Sequence, residues 1–130
     1  MLYYHHTETQ KGIDMLVKTR NLTDIAIEWA VAKSEGYDVY IPAFADRPWL
    51  QIRTVNGVFP CPKWATDWLQ AGIIIERERF IIEPWGLGWV ASVSRCILHH
   101  GPTPMVAAMR CFVSSKFGDE VEIPNELLSA

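Results

Sequence analysis

The residues best suited to chemistry sit close together in this chain. Trp64, Asp67 and Trp68 fall in the stretch KWATDWLQAG, and Glu76 follows in the run Glu76-Arg77-Glu78-Arg79. An aromatic face can stack on a planar ligand, at about 1–3 kcal/mol per base. A neighbouring carboxylate can accept that ligand's hydrogen bonds. Trp64, Asp67, Trp68 and Glu76 are therefore the candidate ligand-binding residues. The competing reading gives them to the fold. Asp67 then caps a short helical turn, Trp68 and Leu69 fill the core, and Trp64 lies nearer the surface. On a strand, Glu76 and Glu78 share one face and the two arginines the other, which suits a charge-protected sheet edge. A paired-carboxylate active site needs a second acid and a pocket, and the sequence places neither, so no catalytic residue is assigned.

Cys96, His99, His100 and Cys111 hold ligand types that zinc accepts, but zinc needs at least three that converge. Cys111 falls on a stripe of small residues in the last helix, where a buried free thiol is the better reading. No metal and no cofactor is expected. The odd count of three cysteines, without CxxC spacing, reads as reduced thiols of a cytoplasmic protein. Gly86-Leu87-Gly88 lacks the third glycine and the following helix of a dinucleotide site. Composition narrows the class further. The chain has 130 residues, 49% apolar and 21% charged, with a net charge of −3. That fits one globular domain and excludes the basic footprint of a general nucleic-acid binder. No stretch has the length of a membrane span.

The elements that must position these residues follow from caps and periodicity. NLTDIAIEWAVAKSEG predicts a helix capped by Asn21 or Thr23, with Gly36 as its stop. Leu22, Ile25, Trp29 and Ala32 form one apolar stripe, and Ile27, Ala30 and Val31 a second. A helix apolar on two sides contacts its own domain twice or meets a second chain. YDVYI and LQIRTVNGVF read as strands, with Asn56-Gly57 at the centre of a type I′ hairpin. ATDWLQAG reads as a turn stopped by Gly72, and RFIIEPWGLGWVASVS as a hairpin around Gly86-Leu87-Gly88. Thr103 caps the last helix, Pro104 takes its first position and Gly118 ends it. Met105, Val106, Met109, Phe112, Val113 and Phe117 form its bulky stripe. Ala108, Cys111 and Ser115 form its small one. The expected class is α+β: an antiparallel sheet of short strands with an N-terminal and a C-terminal helix packed on it.

Three segments, AIEWAVAKSEG (Ala26 to Gly36), TDWLQAGIIIERE (Thr66 to Glu78) and GPTPMVAAMRCFVSSKFGDEVEIP (Gly101 to Pro124), resemble the NinX-like family of small phage and prophage proteins. Together they cover over a third of the chain, in the family's order. The chain departs from the family at Ala71-Gly72-Ile73, where two glycines and a proline are typical, and in its longer leader. Family-like sequence begins at Met15, and the upstream QKGID is compatible with a translated ribosome-binding segment. Residues 1–14 are therefore read as a leader, either translated upstream sequence with Met15 as the natural start or a genuine, loosely ordered N-terminal extension, and 15–130 as one domain. The resemblance implies a phage origin, a bacterial cytoplasm and no assigned reaction. The preferred expectation is a non-enzymatic accessory protein that self-associates as a dimer and binds a host or phage macromolecule or a small ligand, as an inhibitor of host defence would. The alternative is a small enzyme acting on a nucleotide-like substrate, with Asp67 or Glu76 as acid or base.

Overall fold

The computed structural model describes residues 14–43, 49–94 and 97–128. Apart from Asp14, the leader lies outside the described residues. In chain order the elements are β1 (Asp14–Lys18), a 3-10 turn (Thr19–Asn21), α1 (Asp24–Ser34), β2 (Asp38–Tyr40), β3 (Gln51–Thr54), β4 (Gly57–Pro60), α2 (Trp68–Glu78), β5 (Ile81–Trp85), β6 (Gly88–Val93), β7 (Ile97–Gly101), α3 (Pro104–Phe117), β8 (Glu120–Pro124) and a closing 3-10 turn (Asn125–Leu127). The class is α+β. The strands, however, form three antiparallel sheets rather than one: β1–β8, β2–β3–β4 and β5–β6–β7. Helices interrupt the strand sequence after β1, β4 and β7, so hydrogen bonding stays local except where the two ends of the chain pair.

Helix α3 is central. It packs on β6 and β7, on α1 and, less extensively, on α2 and β8. Met105, Ala107, Ala108, Met109, Cys111, Phe112 and Val113 are all buried. Thr103 caps it as expected, its Oγ1 accepting from the Val106 N–H at 3.1 Å. The small residues let β7 approach closely. A Cβ added at Gly101 would stand 2.6 Å from the Ala107 nitrogen, and the Cys111 thiol meets the Ile97 carbonyl at 3.5 Å. The bulky stripe ends one turn early, since Phe117 is exposed.

Helix α1 is buried over the whole run Ala26 to Ala32. It lies against α3, β2 and β8, and the Cys61 thiol reaches the Glu28 carbonyl. Both apolar faces are therefore used within the chain, and α1 keeps no bare stripe for a second copy. Thr23 holds the N-cap position without a side-chain bond.

Helix α2 corrects the sequence reading most. Gly72 lies inside it rather than stopping it, and Glu76-Arg77-Glu78 is helix rather than strand. A mid-helix glycine costs roughly 1 kcal/mol, which burial of Ala71 and Ile74 outweighs. Tertiary ties secure the C-terminal end. The Arg77 guanidinium donates to both Glu35 oxygens, at 3.0 and 2.8 Å, just past the end of α1, and to Glu78 at 2.9 Å. Arg79, with φ 61, makes the left-handed stop.

The β3–β4 hairpin also turns differently from expectation. Thr54 pairs with Gly57, so Val55 and Asn56 form the loop. Neither has a positive φ, and Gly57 takes φ 130 instead, so the turn is not type I′. The Thr54 hydroxyl holds it, accepting from the Asn56 N–H and donating to the Gly57 carbonyl. The β5–β6 hairpin turns at Gly86 and Leu87 as expected. No helix among the described residues is long and apolar enough to cross a membrane.

Candidate ligand-binding cleft

The four candidates from the sequence do not converge. Trp64 is 3% exposed and stacks on Tyr37, with ring centroids 6.3 Å apart. Trp68 is 54% exposed and Leu69 77%. Burial of the two tryptophans is thus the reverse of the expected order. Asp67 caps α2, its Oδ1 accepting from the Leu69 N–H at 3.0 Å. Glu76 is exposed near the far end of the same helix, about 13 Å along the axis at 1.5 Å per residue. As a cap, Asp67→Ala should cost about 0.5–2 kcal/mol. A chemical denaturation midpoint equal to the parent's would show that the bond contributes nothing.

Positively charged side chains converge elsewhere. A cleft of about 450 Å³ is lined by Lys18, Arg20, Leu98, His99, His100, Arg110 and Asp119. Lys18 ends β1, Arg20 lies in the 3-10 turn, residues 98–100 belong to β7, Arg110 projects from α3, and Asp119 links α3 to β8. Its volume lies within the range of small-molecule pockets, about 300–1,000 Å³.

Backbone ties fix the walls. Thr19 is fully buried; its N–H donates to the Asp119 carbonyl at 2.8 Å and its hydroxyl to the Gly118 carbonyl at 2.7 Å. These bonds hold the turn bearing Arg20 against the loop bearing Asp119. Arg110 spans the other side. Its Nε donates to the Leu22 carbonyl at 2.9 Å and its Nη1 to the His100 carbonyl at 2.8 Å. Both acceptors are neutral carbonyls, so these bonds orient the guanidinium without neutralising it. Burial lowers the Arg110 pKa from its ordinary value, without removing a charge this basic. Burial, then the Arg110 charge, lowers that of His99, with Asp119 opposing. Lys18 is paired with Glu120 at 3.4 Å. In a chain of net charge −3, this is a local concentration of positive charge in a partly dry space, where it acts more strongly than on open surface.

A second, smaller crevice of about 60 Å³ is lined by Ile25, Glu28, Trp49, Leu50, Pro60, Cys61 and Lys63. Glu28, a charged residue within α1, is only 7% exposed. Burial raises its pKa from 4.5 to about 6, with Lys63 opposing and Asp24 assisting. Burial also pushes the Cys61 thiol up to about 12, assisted by Glu28, which keeps the thiol protonated and unreactive. Cys96 lies outside the described residues. Among the described residues no three His, Cys, Asp or Glu side chains are placed to hold a metal.

The family described as Bacteriophage P22, NinX matches residues 18–116. The chain belongs to that family. No curated protein matches it. The matched region spans most of the fold and every residue lining the large cleft except Asp119, so the NinX family's region carries the cleft with it. Sequence reasoning missed the cleft because its residues come from four separate segments. The one local signal was the adjacent pair His99-His100, weighed as a metal motif rather than as part of an anion site.

Proposed function

We propose that this NinX-family protein works by binding rather than by catalysis, as a phage accessory protein in the cytoplasm of an infected bacterium, and that it self-associates. The cleft is where it holds an anionic small ligand, with phosphate as the best match. One observation carries this reading: Arg110 stands in the cleft, oriented by two neutral carbonyls, among Lys18, Arg20, His99 and His100. A guanidinium so placed offers its remaining N–H groups to a phosphate or carboxylate, in the fork geometry that such anions accept. Sequestering a phosphate-bearing signal would make the protein an inhibitor of host defence.

The test is calorimetric titration with pyrophosphate, citrate and a nucleoside monophosphate. Pyrophosphate should bind more tightly than citrate, and the Lys18→Gln/Arg20→Gln double variant should lose about tenfold or more in affinity, as removal of charge-assisted bonds does. Both side chains are solvent-facing, so that variant keeps its fold. Arg110→Met should lose more, and part of its effect should appear as a lower melting temperature, because the Leu22 and His100 carbonyls lose their donor. Absence of millimolar binding by all three probes would sink the reading.

A second reading keeps an enzyme acting on a nucleotide-like substrate, with Asp67 or Glu76 as acid or base. The exposed ring of Trp68 beside Asp67 supports it. Against it, the Asp67 carboxylate is engaged as a cap and Glu76 lies about two and a half turns away.

A further inference from the structure

The β5–β6–β7 sheet has two unlike faces. Ile82, Trp89, Val93 and Ile97 pack against the core around α3. Successive strand residues point to opposite sides, so the pairing register sets Ile81, Ser92 and Leu98 in one outer row and Glu83, Val90 and His100 in the next. This outer face is apolar and open among the described residues: Ile81 is 54% exposed, Leu98 57% and Trp85 64%. Val90 is buried yet stands outside the main core cluster. Trp85 approaches His100 beside it, with ring centroids 5.7 Å apart.

We propose that a second copy of this chain docks on that face, about a two-fold axis running close to the direction of β6. Such an axis keeps β6 over β6 and exchanges β5 with β7. Ile81 of one copy then faces Leu98 of the other, Val90 meets Val90, and Glu83 meets His100 twice. The acid and the imidazole lie one strand to either side of β6, so each copy presents the acceptor and donor that its twin requires. Glu83 has no ion pair or hydrogen bond among the described residues, which leaves its carboxylate available. This self-complementarity is what an isologous interface demands, and face-to-face sheets pack in this near-aligned way. The inference rests on the self-association proposed above and gives it a surface, which shares Leu98 and His100 with the rim of the anion cleft while Ile81 and Glu83 lie outside it. A three-stranded face is small beside the roughly 800 Å² per partner of a standard interface, so the dimer is a weak one, with a dissociation constant on the order of micromolar.

Sedimentation velocity on the full chain, from about 1 to 100 μM to bracket that affinity, tests the proposal. Parent protein should pass from monomer to dimer across the series. Ile81→Asp should keep it monomeric, and Glu83→Lys should weaken association by about tenfold, as like-signed contacts at an interface do. Combining Glu83→Lys with His100→Glu should restore association. Both single changes are at exposed positions outside the cleft, so far-ultraviolet circular dichroism and pyrophosphate titration should match the parent. Loss of association with ligand binding intact supports the interface; loss of ligand binding alone counts only against the cleft. A parent that stays monomeric at the highest concentration overturns the proposal, as does a dimer indifferent to both single substitutions.

Discussion

Trp64→Ala should destabilise the protein by about 3–5 kcal/mol, the range for deleting a large aromatic from a packed core, while Trp68→Ala should change stability by less than about 0.5 kcal/mol, as surface substitutions do. Trp64 is 3% exposed and stacked on Tyr37, in a cluster that includes Cys61, Ala65 and the buried run of α1. Removing its indole leaves a cavity in that packed cluster. Trp68 sits in the first turn of α2 with over half its surface in solvent. Urea denaturation, with the slope checked to be unchanged, would measure both. A large loss at Trp68 with little change at Trp64 would mean that α2 packs the other way round, as the sequence suggested.

That reversal shows where the sequence is legible. The limits of α3 could be read, because Thr103, Pro104 and Gly118 are local signals whose physics acts within one turn. So could the hairpin at Gly86 and the cap at Asp67. The length of α2 could not. Gly72 is a local stop signal, but the Arg77–Glu35 fork and burial of Ile74 are tertiary facts, and they outweigh one glycine. The buried side of the longer helix is anchored by Ala71 and Ile74, while Trp68, in its first turn, stays 54% exposed. The single-sheet expectation failed for a similar reason. Strands β2 to β6 were visible, but β1, β7 and β8 were not, and nothing local says that β1 pairs with β8, where Asp14 meets Pro124, 110 positions on. That pairing of the chain's ends brings Lys18 and Arg20 beside His99, Arg110 and Asp119, so the cleft exists only after folding and leaves no pattern along the sequence. The two apolar stripes of α1 were legible, but whether they meet their own domain or a second chain was not. Here they meet α3, β2 and β8, which moves the proposed dimer contact to the sheet.

A charged residue on a helix ordinarily marks its wet side, but Glu28 lies within the run of α1 buried from Ala26 to Ala32. The consequence is a pH dependence of known sign. Burial raises the folded-state pKa of Glu28 from 4.5 to about 6, more than Lys63 can offset. The fold therefore favours the protonated carboxyl. Its stability is undiminished below about pH 4.5, falls as pH rises through about 6, and levels off above that. A shift of this size corresponds to roughly 2 kcal/mol. Glu28→Gln keeps the shape and removes the titration, so at pH 7.5 it should be more stable than the parent by about that amount, and at pH 4 the two should coincide. Every other titrating group is common to both proteins, so the difference between their denaturation curves isolates this one carboxyl. Lys63→Met should widen the gap at pH 7.5 by removing the nearby positive charge. A difference that does not change between the two pH values would place Glu28 in water rather than in the protein. The same measurement bears on catalysis. A carboxyl held near 6 is a competent acid or base, but it faces a crevice of about 60 Å³, room for a water or two and not for a nucleotide, so the raised pKa here reflects the tight packing of α1 against Cys61 and Leu50.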